Sequence, residues 1–114
     1  MKNSTCNNHK ESSEFIEIVK QAIHLEADSV TIEYCDDGLE ICCRYGTLSI
    51  CDVLVDRDIE QHLLNYIIDA ANLQTKPKGK IVTKIDGIEY TINVKEYDNF
   101  GESAFELFVE PLTK

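Results

Sequence analysis

Residues 30–45 of the sequence, VTIEYCDDGLEICCRY, alternate apolar and polar side chains on both sides of an Asp-Asp-Gly segment. Such alternation is typical of a β-strand with one face in a core, because successive side chains of a strand point to opposite faces. Asp37-Gly38 is a favoured pair for a two-residue type I′ turn. The stretch therefore predicts a β-hairpin with Asp37-Gly38 at its turn.

The position of this turn predicts the register of the hairpin. The expected pairs are Tyr34–Ile41 and Ile32–Cys43 on the apolar face, and Cys35–Glu40, Glu33–Cys42 and Thr31–Arg44 on the polar face. Every pair agrees in polarity, whereas a slip by one residue would mix the two faces.

Further strands are predicted directly after this hairpin and in the last third of the chain. A turn at Tyr45-Gly46 or Gly46-Thr47 leads into a third strand through Leu48 and Ile50. The second set comprises residues 81–85, 88–94 and 103–110, with Asp86-Gly87 as the first turn and Pro111 as the end. In its first hairpin the expected polar-face pairs are Lys80–Asn93, Val82–Thr91 and Lys84–Glu89.

Two amphipathic helices complete the pattern. The first has an apolar stripe at helical spacing, made by Phe15, Ile18, Val19, Ala22 and Ile23. Ser12 or Ser13 is its expected N-cap, and Asp56 is the expected N-cap of a second helix that reaches about Leu73. The order α-βββ-α-βββ predicts an α+β two-layer sandwich, in which an antiparallel sheet of about six strands carries both helices on one face.

The composition bounds the organisation and the environment of the chain. A length of 114 residues with 43% hydrophobic content fits one domain, expected over residues 13–112, with residues 1–12 as a flexible polar leader. A formal charge of -10 argues against nucleic acid as a partner. The sequence lacks a signal peptide and an apolar run of the ~20 residues that span a bilayer, so we expect a cytoplasmic protein without membrane insertion.

The five cysteines favour reduced thiols, because their number is odd and they fall within predicted strands. Cys35, Cys42 and Cys51 share the polar face, which makes them weak candidates for a metal-binding thiolate cluster. A Cys42–Cys51 disulfide is geometrically conceivable but disfavoured in a reducing cytoplasm. We therefore expect neither a metal nor any other cofactor.

Catalysis has little support in the sequence. His9, His24 and His62 are scattered between the leader and two different helices, and no serine is framed by glycines as in a nucleophile elbow. We expect that the protein is not an enzyme.

The order of several short segments resembles a known family. These segments are 27–33 (ADSVTIE), 38–48 (GLEICCRYGTL), 77–81 (PKGKI), 86–94 (DGIEYTINV) and Gly101-Glu102. Together they are similar to the PAS-like amino-terminal domain of the type II secretion and type IV pilus assembly ATPases. The resemblance covers roughly residues 14–112, and it implies a domain that packs against the catalytic domain of a neighbouring subunit.

The departures from that family concern nucleotide contact. The chain has no phosphate-binding loop of the form G-x-x-x-x-G-K-[ST], so the ATPase activity of the family is not expected. Where the family places arginines or a basic residue, this chain has Cys42, Arg44, Asn93 and Lys80, and Thr31 stands where a histidine is usual. The resemblance therefore implies a domain that has lost most of its nucleotide-sensing residues.

Three functions stay open at this point. The first is a non-catalytic interaction or regulatory module that binds a protein, either a secretion or pilus ATPase or a second copy. Its expected binding residues lie on the outer face of the sheet: Thr31, Glu33, Cys42, Arg44, Lys80 and Asn93. The second is a small-ligand sensor with a PAS-like pocket, although the tyrosines that would line it read more simply as core residues. The third is a thiol-responsive or metal-responsive module.

Overall fold

A computed structural model describes residues 12–112. The chain forms, in order, α1 (Ser13–Leu25), β1 (Ser29–Cys35), β2 (Gly38–Tyr45), β3 (Leu48–Leu54), α2 (Arg57–Ala70), β4 (Lys78–Ile85), β5 (Ile88–Asn99) and β6 (Glu102–Pro111). The predicted leader lies outside the described residues except for Ser12. Ser12 belongs to the fold, because its buried side chain accepts a hydrogen bond from the Phe15 backbone N–H at 3.1 Å and so caps α1.

The fold is the predicted two-layer α+β sandwich. All six strands form one antiparallel sheet with the order β3-β2-β1-β6-β5-β4. Each half of the chain contributes three consecutive strands, and the halves join where β1 pairs with β6. Consequently β3 and β4 are the two edges of the sheet.

The turn predicted for the first hairpin was wrong. Cys35 pairs with Gly38, so the turn residues are Asp36 and Asp37. The register therefore differs from the prediction by two residues, and each side chain keeps its predicted face but changes its partner. The observed pairs include Tyr34–Leu39, Glu33–Glu40, Ile32–Ile41, Thr31–Cys42 and Ser29–Arg44.

The reason lies in the contact between Gly38 and the end of β3. A Cβ atom at Gly38 would collide with the backbone carbonyl of Leu54, and the residue has φ +155°. The glycine thus serves a close backbone approach inside the sheet.

The second hairpin has the predicted register. Lys80 pairs with Asn93, Val82 with Thr91 and Lys84 with Glu89. Its turn residues, Asp86 and Gly87, have φ of 51° and 84°, as a type I′ turn requires.

Both helices pack on one face of the sheet. The largest fully buried side chains include Phe15 and Val19 of α1, Leu63 and Ile67 of α2, and Ile32, Ile92, Phe105 and Leu107 of the strands. Burial of each such side chain stabilises the fold by about 1.5–3 kcal/mol. Asp56 caps α2 as predicted, by accepting a hydrogen bond from the Ile59 N–H at 3.0 Å. Within residues 12–112, no helix has the length and apolar character needed to cross a bilayer.

Candidate functional site

The face of the sheet opposite the helices carries all six predicted binding residues. Thr31 and Glu33 lie on β1, Cys42 and Arg44 on β2, and Lys80 and Asn93 pair with each other across β4 and β5. Arg44 and Lys80 are four strands apart, which corresponds to about 19 Å at the usual strand spacing. The predicted residues therefore form two separate groups, one on each half of the face.

The first group contains a disulfide. Cys42 and Cys51 are direct partners across β2 and β3, their Cα atoms are 4.0 Å apart, and their sulfur atoms are bonded. The expectation of reduced thiols was wrong for this pair. Alternation along two antiparallel strands brings both side chains to the same face, where each is the other's nearest cross-strand neighbour.

The other described cysteines do not join this pair. Cys43 points into the core, where burial raises the pKa of its thiol. Cys35 is exposed on the same face as Cys42, but it lies four residues beyond Thr31, the β1 partner of Cys42, which is about 13 Å along a strand. The carboxylate of Glu40, two residues before Cys42, is much nearer. The ligand atoms of Glu40, Cys42 and Cys51 all lie within 4.8 Å of one another.

Glu33 accepts a hydrogen bond from a tyrosine that the sequence analysis missed. The Tyr97 hydroxyl donates to the Glu33 carboxylate at 2.5 Å and links β5 to β1 across the intervening β6. Burial, together with the bond to the Glu33 carboxylate and its charge, raises the pKa of Tyr97, while the positive charge of Arg44 acts in the opposite direction.

A small residue makes this link possible. Ala104 of β6 stands directly opposite Tyr97 and is fully buried, although it lies on the face away from the helices. Its methyl group leaves room for the Tyr97 ring to cross β6. The polar run of residues 96–99 concealed this arrangement in the sequence, because it gave no apolar alternation beyond Val94.

The second group belongs to a groove at the end of α2 and the start of β4. This cavity has a volume of about 620 Å³. Its lining includes four lysines, Lys76, Lys78, Lys80 and Lys95, together with Asn72 and Asn93. None of its lining residues is acidic, although the chain carries a net charge of -10. The groove is therefore a local concentration of positive charge on an acidic protein.

The two edge strands differ in their protection against pairing with another chain. β4 presents Lys78, Lys80 and Lys84, and lysines on an edge oppose the addition of a further strand. In β3 the only charged residue is Asp52, and all its residues except Leu54 are exposed.

Exposed apolar side chains lie on β3 and directly after it. Leu48 is 63% exposed and Ile50 is 45% exposed on the side that faces the helices, and Val55 just beyond the strand is 65% exposed. These residues lie at the margin of the layer that α1 and α2 cover.

The backbone of β3 also has hydrogen-bonding groups that face away from β2. The short Cα distance at Cys42–Cys51 identifies a non-hydrogen-bonded pair of the antiparallel ladder, in which the two backbones form no hydrogen bond with each other. The backbone amide groups of Cys51 and of its alternate neighbours Ser49 and Val53 therefore point to the open side of β3. The Val53 N–H donates to the Asp52 side chain at 3.0 Å. The Asp52 carboxylate therefore engages one of the backbone donors of β3 that a partner strand would use.

The two histidines in the described part of the chain lie apart. His24 lines a cavity with Lys20 and Asp86, whereas His62 lines a different one near Ser13. His9 falls outside residues 12–112.

No protein-family model matches the chain, and no curated protein is significantly similar to it.

Proposed function

We propose that this chain is a non-catalytic interaction module that binds an extended segment of another chain along β3. The proposal rests on one observation, the difference between the two edge strands. β4 presents three lysines, whereas Asp52 is the one charged residue of β3. Strand addition at an open edge derives affinity from main-chain hydrogen bonds and specificity from alternate side chains.

The chemistry of β3 defines the partner segment. Ser49 and Cys51 offer backbone groups on the open side, while Leu48 and Ile50 offer apolar surface on the side of the helices. A complementary segment is extended, has apolar side chains at alternate positions, and carries basic residues, because the chain as a whole is acidic. The resemblance to the secretion ATPases makes their catalytic domain the first partner to test, and a second copy of this chain the next.

Two substitutions on β3 test the proposal. Leu48→Lys places a charge at an exposed position, and Ser49→Pro removes an open backbone N–H without requiring a change in the core. We expect both to weaken binding at least about tenfold, because each removes a main-chain bond or desolvates a charge at the interface. Titration calorimetry against the purified catalytic domain, and sedimentation velocity of the chain alone, measure the two kinds of partner.

The matched control is Val82→Lys, an exposed apolar residue on the other edge strand. It should leave binding unchanged. The proposal fails if neither partner binds the unaltered chain, or if the control weakens binding as much as the β3 variants do.

The lysine groove supports a second candidate function, the sensing of a small anionic ligand. Lys78, Lys80 and Lys95 line a cavity that has no acidic residue in its lining, which favours a compact ligand with two or more negative charges. This groove lies at the end of α2 and the start of β4, where it adjoins solvent, rather than beneath the helices.

A thermal-shift titration with inorganic pyrophosphate tests this candidate. Binding to the folded state raises the melting temperature, and added salt should weaken the effect by screening. Lys78→Gln and Lys95→Gln should reduce the rise in melting temperature. Lys84→Gln should not reduce it, because Lys84 lies on the same strand as Lys78 but does not line the groove. Equal effects of all three substitutions would indicate general charge attraction instead of a site.

A further inference from the structure

The disulfide lies where an attacking thiol can reach it. Cys51 is exposed on an edge strand, and Cys42 is half-buried on the strand next to it. Exchange begins when a thiolate attacks one sulfur of the disulfide, and the other sulfur leaves as a thiolate. Access from the open side of β3 therefore favours attack at Cys51, with Cys42 as the leaving group.

Reduction would create a set of metal ligands. A dithiol reductant supplies two electrons and two protons, forms its own disulfide, and leaves Cys42 and Cys51 as thiols. Both side chains then point from directly paired positions to the same face, with the Glu40 carboxylate beside them; the three ligand atoms lie within 4.8 Å of one another in the oxidised structure. In a tetrahedral zinc site, ligand atoms are about 3.5–3.8 Å apart, given bonds of about 2.3 Å to sulfur and 2.0–2.2 Å to oxygen.

We propose that Cys42, Cys51 and Glu40 form a site for a thiophilic divalent cation of the zinc type, and that this site exists only when the disulfide is reduced. The two thiols each lose a proton and bind through sulfur, Glu40 supplies the carboxylate oxygen, and solvent completes the coordination on the exposed side of Cys51. The bonded sulfurs of the disulfide are not available to an ion, so oxidation and metal binding exclude each other.

Glu40 is the ligand that distinguishes this site from a simple dithiol. Its strand partner on β1 is Glu33, whose carboxylate is already engaged by the Tyr97 hydroxyl. On the other side its partner is Val53, which has no ligand atom. Glu40 is thus the carboxylate placed to turn toward the two sulfurs.

Cadmium provides a direct probe, because thiolate ligands give Cd²⁺ a charge-transfer absorption band in the ultraviolet. The experiment uses the full chain with Cys6→Ser and Cys35→Ser, reduced with a dithiol and freed of it without oxygen, and then titrated with Cd²⁺. We expect saturation at one equivalent with the intensity of two thiolates. The same protein with the disulfide intact should show no band.

Three further variants make the test specific. Cys51→Ser should abolish the band, and Glu40→Gln should lower the affinity about tenfold or more while the band remains. Glu106→Gln is the matched control, because Glu106 is another carboxylate of the same face, opposite Thr31. Circular dichroism of each variant confirms that it folds.

Several results would overturn the proposal. They are the absence of a band in the reduced protein, a band that survives Cys51→Ser, and an equal loss of affinity in Glu40→Gln and Glu106→Gln. If Cys51→Ser does not fold, Cys42→Ser replaces it, with the same expected loss of the band.

Discussion

At the scale of single residues, the contact between Tyr97 and Glu33 predicts a response to alkaline pH. Burial and the Glu33 carboxylate raise the pKa of Tyr97 above its ordinary value of 10.0. The folded state therefore retains this proton more firmly than the unfolded state does. The stabilisation is fully present below the unfolded pKa and is lost as the pH rises through the folded pKa.

Tyr97→Phe tests this contact. We expect the substitution to lower the free energy of unfolding by about 1.5 kcal/mol at neutral pH, the usual contribution of a hydrogen bond to a charged group. It should also reduce the fall in stability above about pH 10, where Tyr97 begins to ionise in the unfolded chain. Urea unfolding between neutral and alkaline pH measures both effects, and a variant whose stability matches the unaltered chain throughout would contradict the assignment.

Alternation predicted the face of each paired residue in the first hairpin but not its partner. Alternation fixed Cys42 and Cys51 on the same face, and their direct pairing agrees with that placement. The Asp37-Gly38 turn failed as a predictor because a glycine in such a position can serve a turn or a close approach, and only the neighbouring strand distinguishes them. Tyr97 could not be predicted as a partner of Glu33, since their contact depends on a third strand between them.

At the scale of secondary-structure elements, Gly79 determines how closely α2 approaches β4. A Cβ atom at Gly79 would meet the backbone carbonyl of Ala71, the C-cap residue that directly follows α2. Gly79→Ala must push the helix end away from the strand, so we expect a loss of about 2 kcal/mol, as for other overpacked sites.

Equilibrium unfolding in denaturant measures that loss. Val82→Ala, at an exposed position on the same strand, provides the reference and should change stability by no more than about 0.5 kcal/mol. Similar losses of unfolding free energy in the two variants would contradict this expectation, because they would show that the end of α2 moves away from residue 79 without destabilising the fold.

Element types were predictable, whereas some element ends were not. The apolar stripe and Asp56 located α2, but the helix ends at Ala70 instead of near Leu73, because Asn72 adopts a left-handed conformation with φ 60°. The hairpin of β5 and β6 continues to Asn99 and Glu102, beyond the apolar alternation. In that part of the hairpin, backbone pairing holds the strands together, and so do polar contacts such as the hydrogen bond from the Ser103 hydroxyl to the Glu96 carboxylate at 2.7 Å. Such contacts produce no alternation of apolar residues that could be recognised in the sequence.

At the scale of the whole molecule, the α+β architecture followed from local patterns, and the order of strands did not. Within each set of three consecutive strands, turns connect strands that are neighbours in sequence. The alternation of side chains and the turn residues reveal these connections. The pairing of β1 with β6 joins segments about 75 residues apart, and no local signal reports a contact at such a distance. The identity of the edge strands, and with it the most distinctive surface of the protein, depends on that pairing.

The strand order also determines what the molecule can hold at one time. Five strand spacings separate β3 from β4, or about 24 Å, so a segment added to β3 extends the sheet away from the lysine groove. Two occupants can therefore be present together without touching. A single partner that reached both edges would bind with avidity, since its first attachment would raise the effective concentration of its second arm at the other edge.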